Sequence, residues 1–250
     1  MIEEFKIYIV NLKNDEKRRQ NIIKEINKQN IKNFEIIDAV DGNKLSESEL
    51  KKLTFRNKNL NNPWNSKMSP SQIGCALSHI KIYKKFINSD FKLAMILEDD
   101  AIFLQNFSEK LKKFILKNLI FQKQIILLSP LKEFNAKTLD TENGYEIVSV
   151  TNAFFTHAYI INKDAAKSIV AFNYPVKTIA DNFVFFNIYC GIKITGLNPF
   201  LLDQDKNNFK TSIHSDEKFE KVFLLRRTIY KIKHKILKRF MSYKSHTIIS

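Results

Sequence analysis

Apolar and polar positions along this chain fall into blocks whose period switches between that of a strand and that of a helix. Phe5 to Leu12 reads FKIYIVNL, a β-rich apolar run closing around Asn11. The charged stretch behind it carries Ile22, Ile23 and Ile26 at helical spacing. Phe34 to Val40 predicts a second strand, closed by the turn Asp41-Gly42. Strand, helix and strand in this order predict a right-handed crossover. Ser46 with Glu49 has the spacing of a capping box for a short helix. Residues 55–67, rich in Asn with Pro63 and Trp64, predict an irregular loop.

Ser69-Pro70 then starts a helix, with Ser as N-cap and Pro in the first turn. Its body extends to about Asn88, with Ile73, Leu77, Ile80, Tyr83, Phe86 and Ile87 near one face. Leu93 to Leu97 is continuously apolar, the pattern of a central parallel strand covered on both sides. A helix is expected from about Ser108, and strands at Gln124–Leu128 and near Phe154–Ile161. Further helices are expected from Lys163 and over Asp181–Tyr189. The alternation predicts an α/β sheet with its ligand sites at the C-terminal ends of strands.

The chain has 250 residues and is 44% hydrophobic, enough for one α/β domain with a buried core. The formal charge of +15 changes the picture because of where it sits. From Lys218 to Lys244 ten Lys and Arg stand against one Glu, which leaves only +6 for the remainder. The expected division is therefore a domain over 1–215 and a basic tail over 216–250. Cys75 and Cys190 lack metal-type spacing and are read as two buried, reduced thiols of a cytosolic protein. The N-terminus runs straight into a strand, so no signal peptide is expected. No run of 18 uncharged apolar residues occurs, so no spanning helix is expected either.

Candidate chemistry centres on Glu98-Asp99-Asp100, three carboxylates that end an apolar strand. Adjacent anions repel one another unless a cation lies among them. Oxygen donors suit Mg2+ or Mn2+, which commonly bridge to phosphate. An acidic solvated loop is the alternative. Arg18-Arg19, just after the first strand, would offer forked donors to phosphate or uracil, or else form a solvated helix face. Gly74 lies within the small-residue run Gly74-Cys75-Ala76-Leu77-Ser78-His79. A helical Gly costs up to about 1 kcal/mol, which points to close approach by a backbone or a ligand.

Asn11-Leu12 with Arg18-Arg19, Ala39-Val40-Asp41-Gly42, Ile73-Gly74-Cys75-Ala76-Leu77-Ser78-His79 and Leu97-Glu98-Asp99-Asp100 occur in one order. That series resembles glycosyltransferase family 25, the bacterial lipooligosaccharide galactosyltransferases and their relatives. The similarity continues through Thr156-His157-Ala158-Tyr159-Ile160-Ile161, Asp181, Pro199 to Gln204 and Thr211-Ser212-Ile213, covering about residues 5–214. It implies a GT-A-like, Rossmann-type nucleotide-sugar-binding fold, a UDP-hexose donor, a divalent metal and inversion at the anomeric carbon. Asn11, Arg18, Arg19, Asp41, Ser78, His79, Glu98 and Asp99 would then face the UDP-sugar. Asp100 becomes the best metal ligand, with Glu98 and Asp99 serving the ribose, the metal shell or both. His214 would complete the metal shell, or lie in a solvated loop. Inversion needs a base for the acceptor hydroxyl. Asp181 is the candidate, although a helix N-cap would look the same.

In the tail Phe219, Val222, Phe223, Ile229, Ile232, Ile236, Leu237 and Phe240 recur at near-helical spacing among the basic residues. This predicts a basic amphipathic helix on an anionic membrane surface, or one docked on the domain or on a second subunit. Nucleic acid is not expected as a partner, since no recognised module is present. The leading expectation is an inverting, metal-dependent hexosyltransferase, with UDP-galactose the expected donor, acting on a lipooligosaccharide or other glycolipid at the cytoplasmic face of the inner membrane. A phosphate-ester hydrolase would need a nucleophile beside the acidic cluster. A non-enzymatic polyanion- or membrane-binding protein would rely on the tail.

Overall fold

The computed structural model describes residues 5–55, 68–105, 107–111, 123–131, 133–142, 144–152 and 157–209. The expected loop beyond Phe55, His214, and the expected amphipathic tail lie outside these residues. The chain opens with β1 (Phe5–Asn11), α1 (Glu16–Lys28) and β2 (Phe34–Asp38), followed by a short helical turn at Gly42–Lys44. Then come α2 (Glu47–Leu53), α3 (Pro70–Ile87), β3 (Leu93–Glu98), β4 (Ala101–Phe103) and a helix described over 107–111 (α4). β5 (Gln124–Leu127), β6 (Glu133–Glu142), β7 (Tyr145–Asn152) and β8 (Ala158–Asn162) follow. The described part closes with α5 (Lys163–Asn173), α6 (Phe183–Cys190), β9 (Lys193–Asn198) and β10 (Leu202–Gln204).

Among the described residues the main sheet has eight strands in the order β2-β1-β3-β8-β5-β9-β7-β6. β1 is parallel to both β2 and β3, whereas β8 runs antiparallel to β3 and β5. The sheet is therefore mixed. β3 is central and fully covered, as its apolar run predicts, but it is parallel to only one of its neighbours. β4 and β10 form a separate two-stranded ribbon. The β6–β7 hairpin, β9 and the ribbon were not among the expected elements.

Side-chain alternation sends each central strand's residues into two cores. Ile7, Ile9, Met95 and Leu97 pack with Ile22 and Ile26 of α1 and with Phe103, Phe107 and Leu202 on one face. Tyr8, Ala94 and Ile96 pack on the other with Tyr83 and Phe86 of α3, Ile169 of α5 and Phe186 of α6. Both N-caps expected from sequence are formed as capping boxes, Ser46 with Glu49 and Ser69 with Gln72. α6 begins later than expected, with Asn182 rather than Asp181 at its cap. Neither cysteine is in a disulfide, and Cys75 is half-buried rather than buried.

Gly74 is explained by a backbone. A Cβ built there would lie 2.5 Å from Gly42 N and from Val40 O. One built on Gly42 would lie 1.7 Å from Pro70 O. The start of α3 is thus seated directly on the turn after β2. Replacing Gly by Ala inside a helix normally gains up to about 1 kcal/mol. Forcing a methyl into packed backbone costs about 1–3 kcal/mol, and here the obstructing atoms cannot rotate away. Gly74→Ala is therefore expected to lower the urea midpoint with an unchanged m-value; a raised midpoint would contradict the close seating.

Candidate functional site

Pairing directions bring distant parts of the chain to one end of the sheet. β1 and β3 are in parallel register with Val10 opposite Glu98, so both leave the sheet on the same side. β8 enters from that side, because Leu97 lies opposite Ala158, and Glu98 N donates to His157 O at 2.9 Å. The ribbon closes the front: Ala101 pairs with Gln204, and Asp205 N donates to Asp100 O at 2.8 Å.

Buried carboxylates need compensation, and α1 supplies it. The Asp15 carboxylate caps α1 by accepting from Arg18 N at 3.2 Å, which fixes Arg18 in the first turn. Its Nη1 donates to Asp99 Oδ1 at 2.8 Å and to Asp100 Oδ2 at 3.2 Å. The Phe209 ring lies 5.1 Å from the guanidinium carbon, within cation–π range. Asn11 Nδ2 donates to the other Asp99 oxygen at 2.9 Å. Both oxygens of Asp99 are therefore engaged. Burial nevertheless lifts its carboxyl to about 6, with the Asp100 charge adding to the rise and the Arg18 and Asn11 hydrogen bonds opposing it.

Asp100 is held differently. Gln204 Nε2 donates to its Oδ2 at 2.9 Å, alongside Arg18. Its Oδ1 is buried and has no hydrogen-bond partner. His157 Nδ1 lies 3.9 Å from that oxygen and 3.3 Å from Glu98 Oε2. One donor atom each from Glu98, Asp100 and His157 can be chosen so that all lie within 4.8 Å of one another. An orphaned carboxylate oxygen facing a carboxylate and an imidazole fits a divalent cation. Burial works against a charged His157, yet the hydrogen bond and charge of Glu98, with Asp100 and Asp181, raise it above its ordinary value.

The remaining expected site residues are placed as follows. Arg19 turns away from Arg18 to the edge of the sheet, 3.9 Å from Asp38, so the two guanidinium groups do not act as a pair. Adjacent helical residues diverge, which is the physical reason. Asp41 caps the turn at Gly42–Lys44, its Oδ1 accepting from Asn43 N. The Ser78 hydroxyl accepts from Val40 N at 2.8 Å and donates to Gly74 O at 2.7 Å, tying α3 to the end of β2. His79 is 1% exposed, with Nδ1 2.8 Å from the Tyr159 hydroxyl and Nε2 3.9 Å from Glu98 Oε1. Burial holds its imidazole down to about 4, against the opposing charge of Glu98. Asp181 is close enough for its charge to act on His157 and Cys75. Its turn is braced by Asn173, which accepts from Thr178 N, and by Asn182, whose Nδ2 donates to Thr178 Oγ1 at 2.8 Å.

His157, Gln204 and Asp205 were not singled out from sequence as site residues. The signal for His157 was its place at the head of a strand, which becomes informative once that strand runs antiparallel beside β3.

The family model described as glycosyltransferase family 25 (LPS biosynthesis protein) matches residues 4–184. Human procollagen galactosyltransferase 2 is 29% identical over 174 residues, covering 67% of this chain and 27% of that protein. The chain thus spans about a quarter of that relative's length. A Haemophilus influenzae protein bearing the name glycosyltransferase is 27% identical over 217 residues, 85% of this chain and 73% of its own length. The solved structure of Staphylococcus aureus TarS 1-349 with UDP-GlcNAc is 13% identical, covering 89% of this chain and 65% of that one. Its TM-score of 0.45 is too loose a likeness to bear on chemistry.

Removing one partner of a buried ion pair strands the others and costs about 3–5 kcal/mol. Arg18→Ala is therefore expected to lose stability on that scale in chemical denaturation. Arg19→Ala, whose pair is solvent-exposed, should lose under about 1 kcal/mol. Equal losses would refute the assignment of Arg18 as the buried counter-charge.

His79 gives a pH prediction for metal-free protein. Its folded value of about 4 lies below the ordinary 6.5, so the unfolded chain takes up the proton first. The His79 contribution is complete above about pH 6.5 and is lost as pH falls towards 4. Stability measured in EDTA should fall less steeply over that window in His79→Gln than in the parent; parallel curves would refute the neutral, buried imidazole.

Proposed function

This chain belongs to glycosyltransferase family 25, and on that premise we propose that it transfers a hexose from a UDP-sugar to a saccharide acceptor with inversion, in a divalent-metal-dependent reaction. The observation that carries the reading is the convergence of Glu98, Asp100 and His157 around the orphaned Asp100 Oδ1. We assign the metal, Mn2+ or Mg2+, to these three residues. When bound, it would supply positive charge against the departing nucleotide diphosphate.

The surrounding residues have distinct duties in this reading. Arg18 and Gln204 grip one oxygen of Asp100 and so turn the other towards the metal position. Asp99, held by Arg18 and Asn11, is a positioning residue rather than a ligand. Glu98 orients His157 through the 3.3 Å contact. Asp181 accepts the proton of the attacking hydroxyl, a role supported by its electrostatic reach to His157 and by its braced turn. His214 remains a further metal ligand in this proposal, and Asp41, Ser78 and His79 support the residues that border the donor, whereas Arg19 at the sheet edge has no part in it.

Galactose is our choice of donor sugar, supported by the name of the human relative. A lipopolysaccharide or lipooligosaccharide acceptor is supported by the family's description. A lipid-linked acceptor would suit the basic segment of residues 216–250, which we place against an anionic membrane at the cytoplasmic face. Among the described residues no helix is long and apolar enough to cross a membrane.

Calorimetry with UDP tests the centre of this reading. Mn2+ is expected to tighten UDP binding at least about tenfold, equivalent to about 1.4 kcal/mol. Asp100→Asn should abolish the enhancement, together with sugar release from UDP-galactose. Equal UDP affinity with and without metal would overturn the proposal.

A further inference from the structure

A second group of donor atoms lies beside the first and shares Glu98 with it. Cys75 and His79 are four residues apart on α3, so their side chains project from one helix face. One donor atom each from Cys75, His79 and Glu98 can be chosen so that all lie within 4.8 Å of one another. His79 Nε2 is buried without a hydrogen-bond partner and lies 3.9 Å from Glu98 Oε1.

The ring is also oriented from behind. His79 Nδ1 lies 2.8 Å from the Tyr159 hydroxyl, which in turn lies 2.6 Å from the Tyr83 hydroxyl. With Nδ1–H donating to Tyr159, Nε2 presents its lone pair to Cys75 and Glu98. Metal-bound histidines are commonly fixed in this way by a partner on the other ring nitrogen.

We propose that Cys75, His79 and Glu98 form a second cation site, selective for a thiophilic divalent ion of the zinc class. A tetrahedral zinc, with Zn–N and Zn–S of about 2.0 and 2.3 Å, sets its donors roughly 3.3–3.6 Å apart, so small side-chain movements close the cluster. Sulfur and imidazole donors favour zinc over Mg2+ or Mn2+. Three protein ligands leave a fourth position open to water or to a ligand group. Binding requires the thiolate, so each ion bound releases the Cys75 proton to solvent. Glu98 directs Oε2 to His157 and Oε1 to His79, which makes it common to both sites. The inference does not rest on the transferase reading, because its readout is coordination.

The experiment is a titration of the chelator-stripped full chain with Co2+ alone, followed by Zn2+. A thiolate-to-cobalt charge-transfer band at one ion per chain is expected, and Zn2+ should abolish it. The band should vanish in Cys75→Ser, weaken at least tenfold in affinity in His79→Gln, and persist in Cys190→Ser and Asp100→Asn. No band in the parent chain, or one that survives Cys75→Ser, would overturn the site. Folding of Cys75→Ser need not be assumed, because alkylation of Cys75 can be mapped by peptide mass spectrometry in Asp100→Asn. Zn2+ should slow that alkylation at least tenfold, and an unchanged rate would equally overturn the proposal.

Discussion

The contact between Arg18 and the paired carboxylates of Asp99 and Asp100 is the constraint on which this end of the molecule depends. Neighbouring anions at the end of a buried strand cannot lose their water without compensation. The compensation arrives from another element, through a helix whose own cap places Arg18 in its first turn. One guanidinium thereby links α1 to β3, and Asn11 adds β1 to the same carboxylate. Asp99 still protonates well above the ordinary range, so burial outweighs the donors that hold it. This end of the sheet retains a deficit of positive charge even with Arg18 in place. The unpartnered Asp100 Oδ1 is that deficit seen at a single atom.

A second constraint is steric. α3 approaches the turn after β2 so closely that neither Gly42 nor Gly74 has room for a methyl group. That seating carries Ser78, His79 and Tyr83 to their stations: one ties the helix to β2, and the other two meet Tyr159 of β8 in the core. The small-residue run is thus first a packing device. The side chains it presents towards Glu98 follow from where the helix is forced to lie.

Much of the scaffold was legible in the sequence because its signals were local. Serine caps, the Pro70 start, the covered β3 run and the first strand–helix–strand unit all depend on neighbours within one or two turns. Strand direction is a different kind of fact. Nothing in the residues of β8 states that it runs against β3, and so nothing placed His157 beside Glu98 across 59 positions. The acidic cluster was legible as chemistry, but not the division of labour within it. Asp99 and Asp100 are consecutive and chemically alike, and they differ only in which amide or guanidinium reaches each oxygen. Arg18 and Arg19 make the same point: identity of type suggested a pair, and helix geometry separated them. β6 and β9 were missed because their pairing is decided by the rest of the sheet, whereas β7 carries a β-branched run, Ile147-Val148-Ser149-Val150, that predicts a strand.

The ribbon of β4 and β10 makes the site a joint product of distant parts of the chain. Gln204 reaches Asp100 across 104 residues, and Arg18 reaches it across 82. Loop-closure entropy grows only slowly with length, so the two contacts close loops of similar cost. The amide that orients Asp100 and the guanidinium that neutralises it are thus drawn from opposite ends of the described chain. Neither half of the chain therefore holds a complete carboxylate corner: β3 without the ribbon lacks the amide, and the ribbon without β3 lacks the acid.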